Sequence, residues 1–557
     1  MTDKLDPIQR FWLLIKPDKK EVRNVYVYAI FSGLLALSLP IGVQAIINLI
    51  QGGQISTSWI VLIFFVIGGI AFTGLLRVSQ LKILEHLQQK VFTRAAFEFA
   101  YRTPRIKLEH LSKYYAPELM NRFFDIISIQ KGLSKILIDF STAAIQTIFG
   151  LVLLSMYHSF FIAFSLILLA LVYFIFKVTY KKGLDTSLKE SKSKYYVAHW
   201  LQELARTNIS FKLAGVTSLP LDRVNNLTKT YIDERNKHFK VLITQYVLLI
   251  VFKVLIAAAL LSVGGLLVIN QQMNIGQFVA AEIIILLILN SVEKLILSLE
   301  TIYDLLTSLE KVGEVTDLEI ERNDGVKISE HIDNGMSVEL VNVDFSYPNR
   351  NELVLNKVSV KIEAYESVLI TGTVNSGKST LLYLLSGLYQ IHTGYLRFNN
   401  IPANNLEPLD LRSVIGDCLM DESLFEGTLM ENITMGRKNA TYENVQWAVK
   451  NIGLEEYIKT LPKGFDTPIN SQGKQFSRNI IDKIILVRSI VDKPKLLLIK
   501  DTFSSFSKEE GDKIIDFLMS YKKWTIVIVS NDERLKNKVD KIYYLDKGVL
   551  TEIKKKK

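Results

Sequence analysis

The sequence predicts a multidomain protein in which an all-α domain of six membrane-spanning helices precedes an α/β domain built around a glycine-rich loop. Three observations lead to this prediction. Six long apolar runs occupy about the first 300 residues, the basic residues lie on alternate connections between them, and a glycine-rich loop in the last third separates a predicted strand from a predicted helix. Of the 557 residues, 49% are hydrophobic, which is too apolar for a disordered chain. The single cysteine excludes an internal disulfide framework.

Each apolar run is long enough to cross a bilayer as a helix. A hydrocarbon core of about 30 Å needs about 20 apolar residues in a helix, and the runs fall close to that length. Buried helices of a soluble core are the alternative, but runs of this length recur six times, with the charges between them on one side only. Pro40 is expected to kink the first run. The runs are residues 24–50, 57–76, 136–156, 160–176, 243–269 and 277–298.

The basic residues orient these helices. Six Lys or Arg residues lie in residues 1–23, eleven in residues 77–135 and thirteen in residues 177–240. Because basic residues favour the cytoplasmic side, we expect the N-terminus, both long connections and the C-terminal half to be cytoplasmic. No cleavable signal peptide is visible before the first run. The connections without any charged residue are 51–57, 157–159 and 270–276.

A few charged residues lie within the apolar runs, where charge is costly and usually faces the bundle interior or water. Lys253 and Glu282 are about 16 and about 6 residues from the outer ends of their runs, so at ~1.5 Å per residue a direct pair between them is not expected. For both, a role in a translocation path and a structural contact stay open. Asp139, Glu293 and Lys294 lie near the inner ends of their runs, where water is close.

A glycine-rich loop in the last third of the chain predicts phosphate binding. The predicted strand 367–371 leads into Gly-Thr-Val-Asn-Ser-Gly-Lys-Ser-Thr at 372–380, and a helical segment follows. This is the G-x-x-x-x-G-K-S motif in its required context, in which backbone N–H groups and a helix N-terminus surround phosphate. Lys378 is expected to reach the β- and γ-phosphates of ATP, and the Ser379 hydroxyl to ligate Mg²⁺. The residues expected to bind the nucleotide here are Gly372, Asn375, Ser376, Gly377, Lys378, Ser379 and Thr380.

Six spans, short outer turns, two long inner connections and a C-terminal phosphate-binding domain resemble an exporter-type half-transporter of the ATP-binding-cassette (ABC) family. The resemblance extends over nearly the whole chain. Tyr347 matches the family's adenine-stacking aromatic residue, and a core tyrosine is the alternative. The implied domains are a cytoplasmic N-terminal segment at 1–23, a six-span transmembrane exporter domain at 24–300, a linker at 301–335 and an ABC nucleotide-binding domain at 336–557.

The resemblance also predicts where the inner connections touch a cassette. In this family each inner connection carries a short coupling helix that contacts a nucleotide-binding domain. Residues 115–125 resemble the first coupling region, and residues 212–221 stand where the second should be. An ordinary solvated helix–turn–helix is the alternative for both.

Several cassette motifs of the family are altered in this chain. The Walker B strand 496–499 is followed by Lys500 and Asp501, where the family has a Mg²⁺-directed aspartate and a catalytic glutamate. Lys500 reverses the charge, and Asp501 keeps a carboxylate on a side chain that is one methylene shorter. Asn531 stands in place of the switch histidine and cannot titrate as histidine does.

The signature motif is altered as well. Where the family has Leu-Ser-Gly-Gly-Gln, this chain retains only Ser477, and Arg478 and Asn479 place side chains where backbone must approach phosphate closely. Met420 replaces the Q-loop glutamine, and Ser507 replaces the D-loop aspartate. The alternative interpretation is that these altered positions are simply surface or packing residues of a cassette that has lost its chemistry.

Together these changes predict a cassette that binds ATP, with uncertain use of Mg²⁺, and hydrolyses it weakly or not at all. The resemblance implies a homodimer or a heterodimer with another ABC half-transporter, in a bacterial inner membrane, in contact with lipid and exporting a peptide, protein, lipid or hydrophobic compound. Because the basic residues orient helices, no nucleic-acid partner is expected. Residues 274–280 resemble type I secretion exporters, which adds a possible periplasmic adaptor. Two alternatives stay open: a non-hydrolysing membrane scaffold or regulatory subunit of a secretion complex, and an ordinary active exporter.

Overall fold

A computed structural model describes residues 5–51, 57–112, 114–333, 335–348, 352–391, 393–419 and 423–554. The chain divides into two compact units. The first unit comprises Met1–Pro104 and Tyr114–Leu318, and the second comprises Arg105–Lys113 and Glu319–Lys557. The second unit therefore includes a short piece of the first long inner connection.

The described part of the first unit is helical. The helices of the first 318 residues are α1 (Pro7–Ile15), α2 (Lys19–Ala36), α3 (Ser38–Gln51), α4 (Thr57–Arg102), α5 (Leu108–Leu111, in the second unit), α6 (Ala116–Met120), α7 (Asp125–Ser134), α8 (Ser141–Ser155), α9 (Ser159–Arg206), α10 (Asn208–Leu213), α11 (Leu219–Ala259), α12 (Gly265–Ile269) and α13 (Ile275–Thr316). Several of them join end to end. The result is six helices long and apolar enough to cross a membrane, Pro7–Gln51, Thr57–Arg105, Ala116–Ser155, Ser159–Arg206, Leu219–Ile269 and Ile275–Thr316. This confirms the six-helix prediction.

The long inner connections continue the membrane helices. Beyond its apolar run, α4 buries Gln80, Leu84, Leu87 and Val91, a spacing of three and four residues that puts them on one helix face. The apolar members of this stripe pack in one core with residues of α7 and α13. The first span is interrupted between α2 and α3 at Leu37, because Pro40 lacks an N–H and its ring crowds the carbonyl four residues earlier.

One ion pair joins two helices within their apolar segments. Lys253 Nζ of α11 donates to Glu293 Oε2 of α13 at 2.6 Å, and about 30% of each side chain is exposed. Counted from the outer turn between Ile269 and Ile275, the two residues are 16 and 18 residues deep, so at ~1.5 Å per residue they lie at similar levels. Glu293 is near the inner end of its apolar run, and α13 continues beyond that run to Thr316.

The second unit contains two main sheets. Its strands are β1 (Val338–Phe345), β2 (Leu355–Ile362), β3 (Ser367–Gly372), β4 (Thr393–Phe398), β5 (Ile401–Pro402), β6 (Ile415–Cys418), β7 (Gly427–Thr428), β8 (Pro468–Ile469), β9 (Leu496–Lys500), β10 (Thr525–Val529), β11 (Lys541–Asp546) and β12 (Val549–Ile553). Its helices after residue 319 are α14 (Lys378–Leu385), α15 (Pro408–Ser413), α16 (Leu429–Thr434), α17 (Tyr442–Ile452), α18 (Glu455–Thr460), α19 (Arg478–Ile490), α20 (Lys508–Ser520) and α21 (Glu533–Lys536). The smaller sheet has the order β2-β1-β4-β5, and the larger one has the order β12-β11-β3-β10-β9-β6. The α/β prediction is confirmed.

Helices cover both faces of the larger sheet, whose central strands are buried on both sides. Successive side chains of a strand point to opposite faces. One core contains Val368, Ile370, Leu496, Leu498, Val527 and Val529 together with Leu381, Leu382, Leu384 and Leu385 of α14. The other contains Leu369, Leu497, Ile499, Ile526 and Ile528 together with residues of α17 and α19. The glycine-rich loop thus leads from β3 into the helix that covers one defined face.

The last helix of the six-helix region ends later in the chain than the sequence predicts. Helix α13 continues to Thr316, past the expected boundary at residue 300. Beyond it, Ile320 forms an isolated antiparallel bridge with Ile106. The part of the first inner connection that belongs to the second unit is therefore 105–113, whereas residues 115–125, where a coupling region was expected, belong to the first unit.

The Lys253–Glu293 pair predicts a measurable loss of stability when one partner is removed. In Lys253→Met, Glu293 keeps its charge without a partner 18 residues from the outer turn, nearer the inner surface than the bilayer centre. The cost is therefore below the roughly 2.5–3.5 kcal/mol of an unpaired charge at the centre of a membrane helix. We expect a lower thermal unfolding midpoint for the purified full chain in lipid nanodiscs, and recovery of most of the loss in the double variant Lys253→Glu, Glu293→Lys.

Lys294→Met is the matched control, because Lys294 is the exposed neighbour of Glu293. Equal midpoints for Lys253→Met and Lys294→Met would contradict a stabilising role of the pair.

Candidate nucleotide-binding site

Three parallel strands of the larger sheet end together. Val529 of β10 pairs with Ile370 of β3 on one side and with Lys500 of β9 on the other. In open α/β sheets, the crevice at the carboxyl ends of the strands is where ligands bind. The glycine-rich loop, Asp501 and Asn531 follow directly on these three strands, so the sheet brings them to one edge.

The neighbouring strand β6 ends at the same edge. Its last residue, Cys418, pairs with Ile499 of β9. Cys418 Sγ also lies 3.2 Å from Thr502 Oγ1, which links the ends of β6 and β9 through side chains. Met420, at the Q-loop position, lies outside the described residues.

The backbone of the glycine-rich loop requires its glycines. Gly372 and Gly377 have φ of +149° and +102°, and Asn375 has φ of +62°, in the left-handed region that asparagine tolerates better than most residues. A Cβ on Gly372 would lie 2.0 Å from the Leu545 carbonyl oxygen, and one on Gly377 would lie 2.8 Å from that of Val354. Any side chain at either position would therefore displace backbone.

Lys378 lies across this loop. Its Nζ donates to the carbonyl oxygens of Gly372 and Thr373 at 3.0 and 2.5 Å. Burial lowers the pKa of Lys378, the nearby Asp501 carboxylate raises it, and the positive charge of Lys500 lowers it again. The ammonium group thus caps the curled backbone at the point where the motif predicts phosphate.

The remaining predicted loop residues lie around this lysine. Ser376 is buried, and its Oγ accepts a hydrogen bond from Lys378 Nζ at 3.4 Å. Ser379 is half-buried in the first turn of α14. Thr380 is buried, and its hydroxyl lies 2.9 Å from the Tyr347 hydroxyl.

Tyr347 belongs to an aromatic cluster beside α14. Its ring meets that of Phe345 at a centroid distance of 5.2 Å and that of Tyr389 at 5.5 Å, both edge to face. The side chain is half-buried, so the cluster fixes the ring while part of it stays accessible. Adenine stacking on Tyr347 stays a prediction.

Lys500 occupies the end of β9. Leu496 and Leu498, which share its strand face, pack in the core with α14, so Lys500 follows on the face that the glycine-rich loop covers. Its side chain is half-buried, and its ammonium has no hydrogen bond or ion pair within the described part of the chain. Lys500, at the position where the family has a metal-directed acid, therefore adds a positive charge near Lys378.

The residues at this edge suit a phosphate chain better than a metal ion. Asp501 has φ of +44°, and its N–H donates to the Val529 carbonyl at 2.9 Å. The described residues contain no group of three or more His, Cys, Asp or Glu residues that could hold a metal. Among the residues placed in the structure, the Ser379 hydroxyl and the Asp501 carboxylate would be left for Mg²⁺, with Lys500 beside them. The loop backbone and Lys378 fit the phosphates of ATP, but the site does not fit the usual metal.

The altered signature forms a separate cluster at the start of α19. Asn479 Nδ2 donates to Glu510 Oε2 at 3.3 Å, and Lys483 Nζ donates to Glu510 Oε1 at 2.9 Å. Ser507 Oγ donates to Glu510 Oε2 at 3.0 Å. The hydrogen bond from Lys483 is the main cause that lowers the pKa of Glu510 to about 2. We name Asn479, Lys483, Ser507 and Glu510 the Glu510 network.

The other two signature residues, Ser477 and Arg478, lie outside the Glu510 network. Ser477 precedes the first residue of α19 and is exposed. Arg478 is 59% exposed, and its Nε lies 2.9 Å from Asp482 Oδ1 one turn along the helix. The first turn of α19 therefore carries a cation where the family has glycine.

Asn531 is exposed beside the end of β10. The preceding residue, Ser530, donates its N–H to the Ile370 carbonyl at 3.2 Å. The following residue, Asp532, lies 2.6 Å from Arg534, whose hydrogen bond lowers the pKa of Asp532. The Asn531 amide can donate or accept a hydrogen bond but does not change charge.

Sequence reasoning missed Glu510 and Thr502. Glu510 had a visible signal, because Ser507-x-x-Glu510 is a capping-box pattern at a helix start, and Ser507 Oγ indeed accepts from Glu510 N–H. Thr502 had none, because its contact with Cys418 joins strands that are distant in sequence.

Comparison with known proteins agrees with this description. Residues 355–504 match the family model described as ABC transporter. The uncharacterized ABC transporter ATP-binding protein YfiB of Bacillus subtilis (strain 168) is 30% identical over 243 residues, which are 44% of this chain and 42% of YfiB. That match spans less than half of the relative.

Two comparisons extend over nearly the whole chain. The putative multidrug export ATP-binding/permease protein YgaD of Bacillus subtilis (strain 168) is 24% identical over 561 residues, which are 98% of this chain and 96% of YgaD. The solved structure of a bacterial Atm1-family ABC exporter with ATP bound shares the fold with a TM-score of 0.81 at 18% identity, over 96% of this chain and 94% of that one. Residues 355–504 thus belong to the ABC transporter family, and the chain, with six helices long and apolar enough to cross a membrane followed by a single cassette, has the architecture of an exporter half-transporter.

Proposed function

We propose that this half-transporter binds ATP in its cassette, hydrolyses it very slowly or not at all, and works as a dimer. The observation that carries the proposal is the placement of Lys500. It ends β9 in register with β10 and β3, on the face of the glycine-rich loop, where the family has an acid. The loop supports binding, and Lys500 argues against the metal-dependent chemistry.

Several parts of the hydrolytic machinery differ at once. Phosphoryl transfer depends on a metal that offsets developing charge and on a group that positions the attacking water. Lys500 cannot ligate a metal, and Asp501 offers a short carboxylate from a left-handed backbone. Asn531 replaces the switch histidine. Repairing any one of these positions leaves the others altered.

A partner with an intact cassette would not fully compensate. In this family each site combines the Walker motifs of one cassette with the signature of the other. The partner's intact Walker motifs would face Arg478 and Asn479, and this chain's Lys500 would face the partner's signature. Both sites of a heterodimer would be affected, and a homodimer would carry every change twice.

Exposed apolar side chains in the second inner connection support association with a second chain. Leu213, Val216 and Leu221 are 83%, 107% and 76% exposed. Neighbouring exposed apolar side chains mark interaction sites more often than free surface. A second copy of this chain or another half-transporter would cover them.

The proposal includes an orientation and a cargo. The basic inner connections support a cytoplasmic N-terminus and a cytoplasmic cassette in a bacterial cell, by the positive-inside rule, with lipid around the spans. The printed name of YgaD, multidrug export, favours a hydrophobic compound over a peptide, protein or lipid as cargo. Type I secretion and a periplasmic adaptor rest on residues 274–280 alone.

A second candidate function is that of a non-hydrolysing regulatory or scaffold subunit. The Glu510 network favours it. Two substituted positions, Asn479 of α19 and Ser507 at the start of α20, bond to the Glu510 carboxylate of α20, and the bond from Asn479 ties α19 to α20 within one cassette. In that role ATP binding would set the conformation of a complex without turnover.

ATP hydrolysis by the purified full chain should be at background, defined by Lys378→Ala, which removes the loop cation. Lys500→Asp alone should stay at background, because the signature and switch positions are still altered. A variant that also carries Met420→Gln, Arg478→Gly, Asn479→Gly, Ile480→Gln, Asp501→Glu and Asn531→His should exceed it by about 100-fold, the lower range for positioned acid–base groups. Steady-state phosphate release measures this, and wild-type turnover well above that of Lys378→Ala would identify an ordinary active exporter.

Glu510→Gln should lower the thermal midpoint of the full chain at neutral pH, because the amide cannot accept hydrogen bonds from three donors as the carboxylate does. The folded-state pKa of Glu510 is lowered from 4.5 to about 2. Its stabilising contribution is therefore present above pH 4.5 and is lost as the pH falls through about 2, so the difference between wild type and variant should shrink over that range. Glu509→Gln is the control, since Glu509 pairs with the exposed Lys513. An equal effect of both variants would rule out a special role of Glu510.

The combined change Leu213→Asp, Val216→Asp should weaken dimer formation. Burial of one such side chain contributes about 1.5–3 kcal/mol, so the dimer dissociation constant should rise at least about tenfold. Light scattering of the detergent-solubilised chain measures the dimer fraction. Thr217→Asp adds charge at the same tip without removing an apolar side chain and serves as the control. An unchanged dimer fraction in the double variant would show that these residues lie outside the interface.

A further inference from the structure

We infer that the cassette binds the phosphate chain of ATP without a divalent metal ion, with Lys500 and Lys378 together supplying the positive charge. This inference rests on the proposed nucleotide binding and specifies its chemistry. It starts from the observation that the side chains at the sheet edge do not suit the Mg²⁺ ion that the fold family implies.

The strand face places Lys500 on the side of the glycine-rich loop. Leu496 and Leu498 of β9 lie in the core that α14 completes, whereas Leu497 and Ile499 lie in the opposite core. Because side chains alternate along a strand, Lys500 belongs with the first pair. A carboxylate or a cation at this position therefore acts on whatever the loop holds.

The sheet register places Lys500 two strands away from the strand that leads into the glycine-rich loop. Lys500 is directly opposite Val529, which is directly opposite Ile370 of β3. Neighbouring strands are about 4.8 Å apart, so β9 and β3 are separated by about 10 Å in the hydrogen-bonding direction. The positive charge of Lys500 lowers the pKa of Lys378. Both side chains have long flexible stems. The ammonium groups of Lys500, at the end of β9, and of Lys378, at the start of α14, therefore approach the same edge of the sheet.

The ammonium of Lys500 needs an anion that the described residues do not provide. Its side chain is half-buried, and it has no ion pair with any described residue. A partly desolvated charge without a partner is unfavourable. An anionic ligand held by the loop would remove that cost, and the phosphates of ATP are such a ligand.

The same two charges oppose a metal ion. Two ammonium groups carry as much positive charge as one Mg²⁺, and like charges at a partly buried site repel strongly. No cluster of three or more potential metal-binding side chains occurs among the described residues. The acid that would normally offset the metal's charge is the residue that became Lys500.

Binding of trinitrophenyl-ATP to the purified full chain, followed by fluorescence in excess Mg²⁺ and in EDTA, tests the inference. We expect dissociation constants that agree within about threefold in the two buffers. A loss of affinity of tenfold or more on chelation would overturn the inference while leaving nucleotide binding intact. Absence of binding in both buffers would refute the proposed binding itself, so the two failures are distinguishable.

Variants at Lys500 separate its charge from its packing. Lys500→Met keeps the length without the charge, and its affinity in EDTA should fall at least about tenfold. Lys500→Asp should lose affinity in EDTA and regain it when Mg²⁺ is added. Lys523→Asp makes the same charge change just before β10, at the opposite edge of the sheet, and should bind like wild type in both buffers.

Wild-type affinity of Lys500→Met in EDTA would overturn the inference. A thermal midpoint measured for each variant shows whether it is folded. The wild-type comparison between the two buffers requires no substitution, so a misfolded variant does not remove the test.

Discussion

The parallel pairing of β3, β10 and β9 is the constraint on which the candidate site depends. Because the three strands pair in register, Ile370, Val529 and Lys500 stand in one row, and the functional loops begin at the same edge. A slip of β9 by one residue would send Lys500 to the opposite face, into a core of apolar side chains from α17 and α19. The alternation of buried side chains on β9 fixes its register, and with it the position of the one cation that changes the chemistry.

In the membrane helices, position along the helix axis determines which charged side chains can meet, as strand register does in the sheet. Lys253 and Glu293 pair because α11 and α13 place them at similar distances from the outer turn. In a membrane the alternative to pairing is an unpaired charge in hydrocarbon, which is costly. The pair therefore links two helices at a level where apolar packing alone has little preference for one partner over another.

Much of the fold, and less of the site, could be predicted from sequence. Long apolar runs and the G-x-x-x-x-G-K-S motif are local signals, and both led to elements that the structure contains. The pairing of Lys253 with Glu293 was not local, since it depends on how far α13 continues beyond its apolar run. The Glu510 network lies between these cases: its capping box was visible in Ser507-x-x-Glu510, but its bonds to α19 require the fold. Segment 105–113 joined the second unit through a bridge to Ile320, which no sequence pattern marks.

The residues that match the family and those that differ fall into two physical classes. Gly372 and Gly377 are held by the fold itself, because a side chain at either position would collide with the backbone of another segment whether or not a nucleotide binds. Their presence alone therefore says little about chemistry. Lys378 is different, since its ammonium bonds to loop carbonyls without filling a space that the backbone of another segment closes. The changed positions, Lys500, Asn531 and Arg478, are half-buried or exposed at the sheet edge and helix start, where substitution leaves the core intact. A cassette can thus lose its hydrolytic groups and keep its fold and its loop, and the lysine retained in the loop is the residue that argues for a bound phosphate.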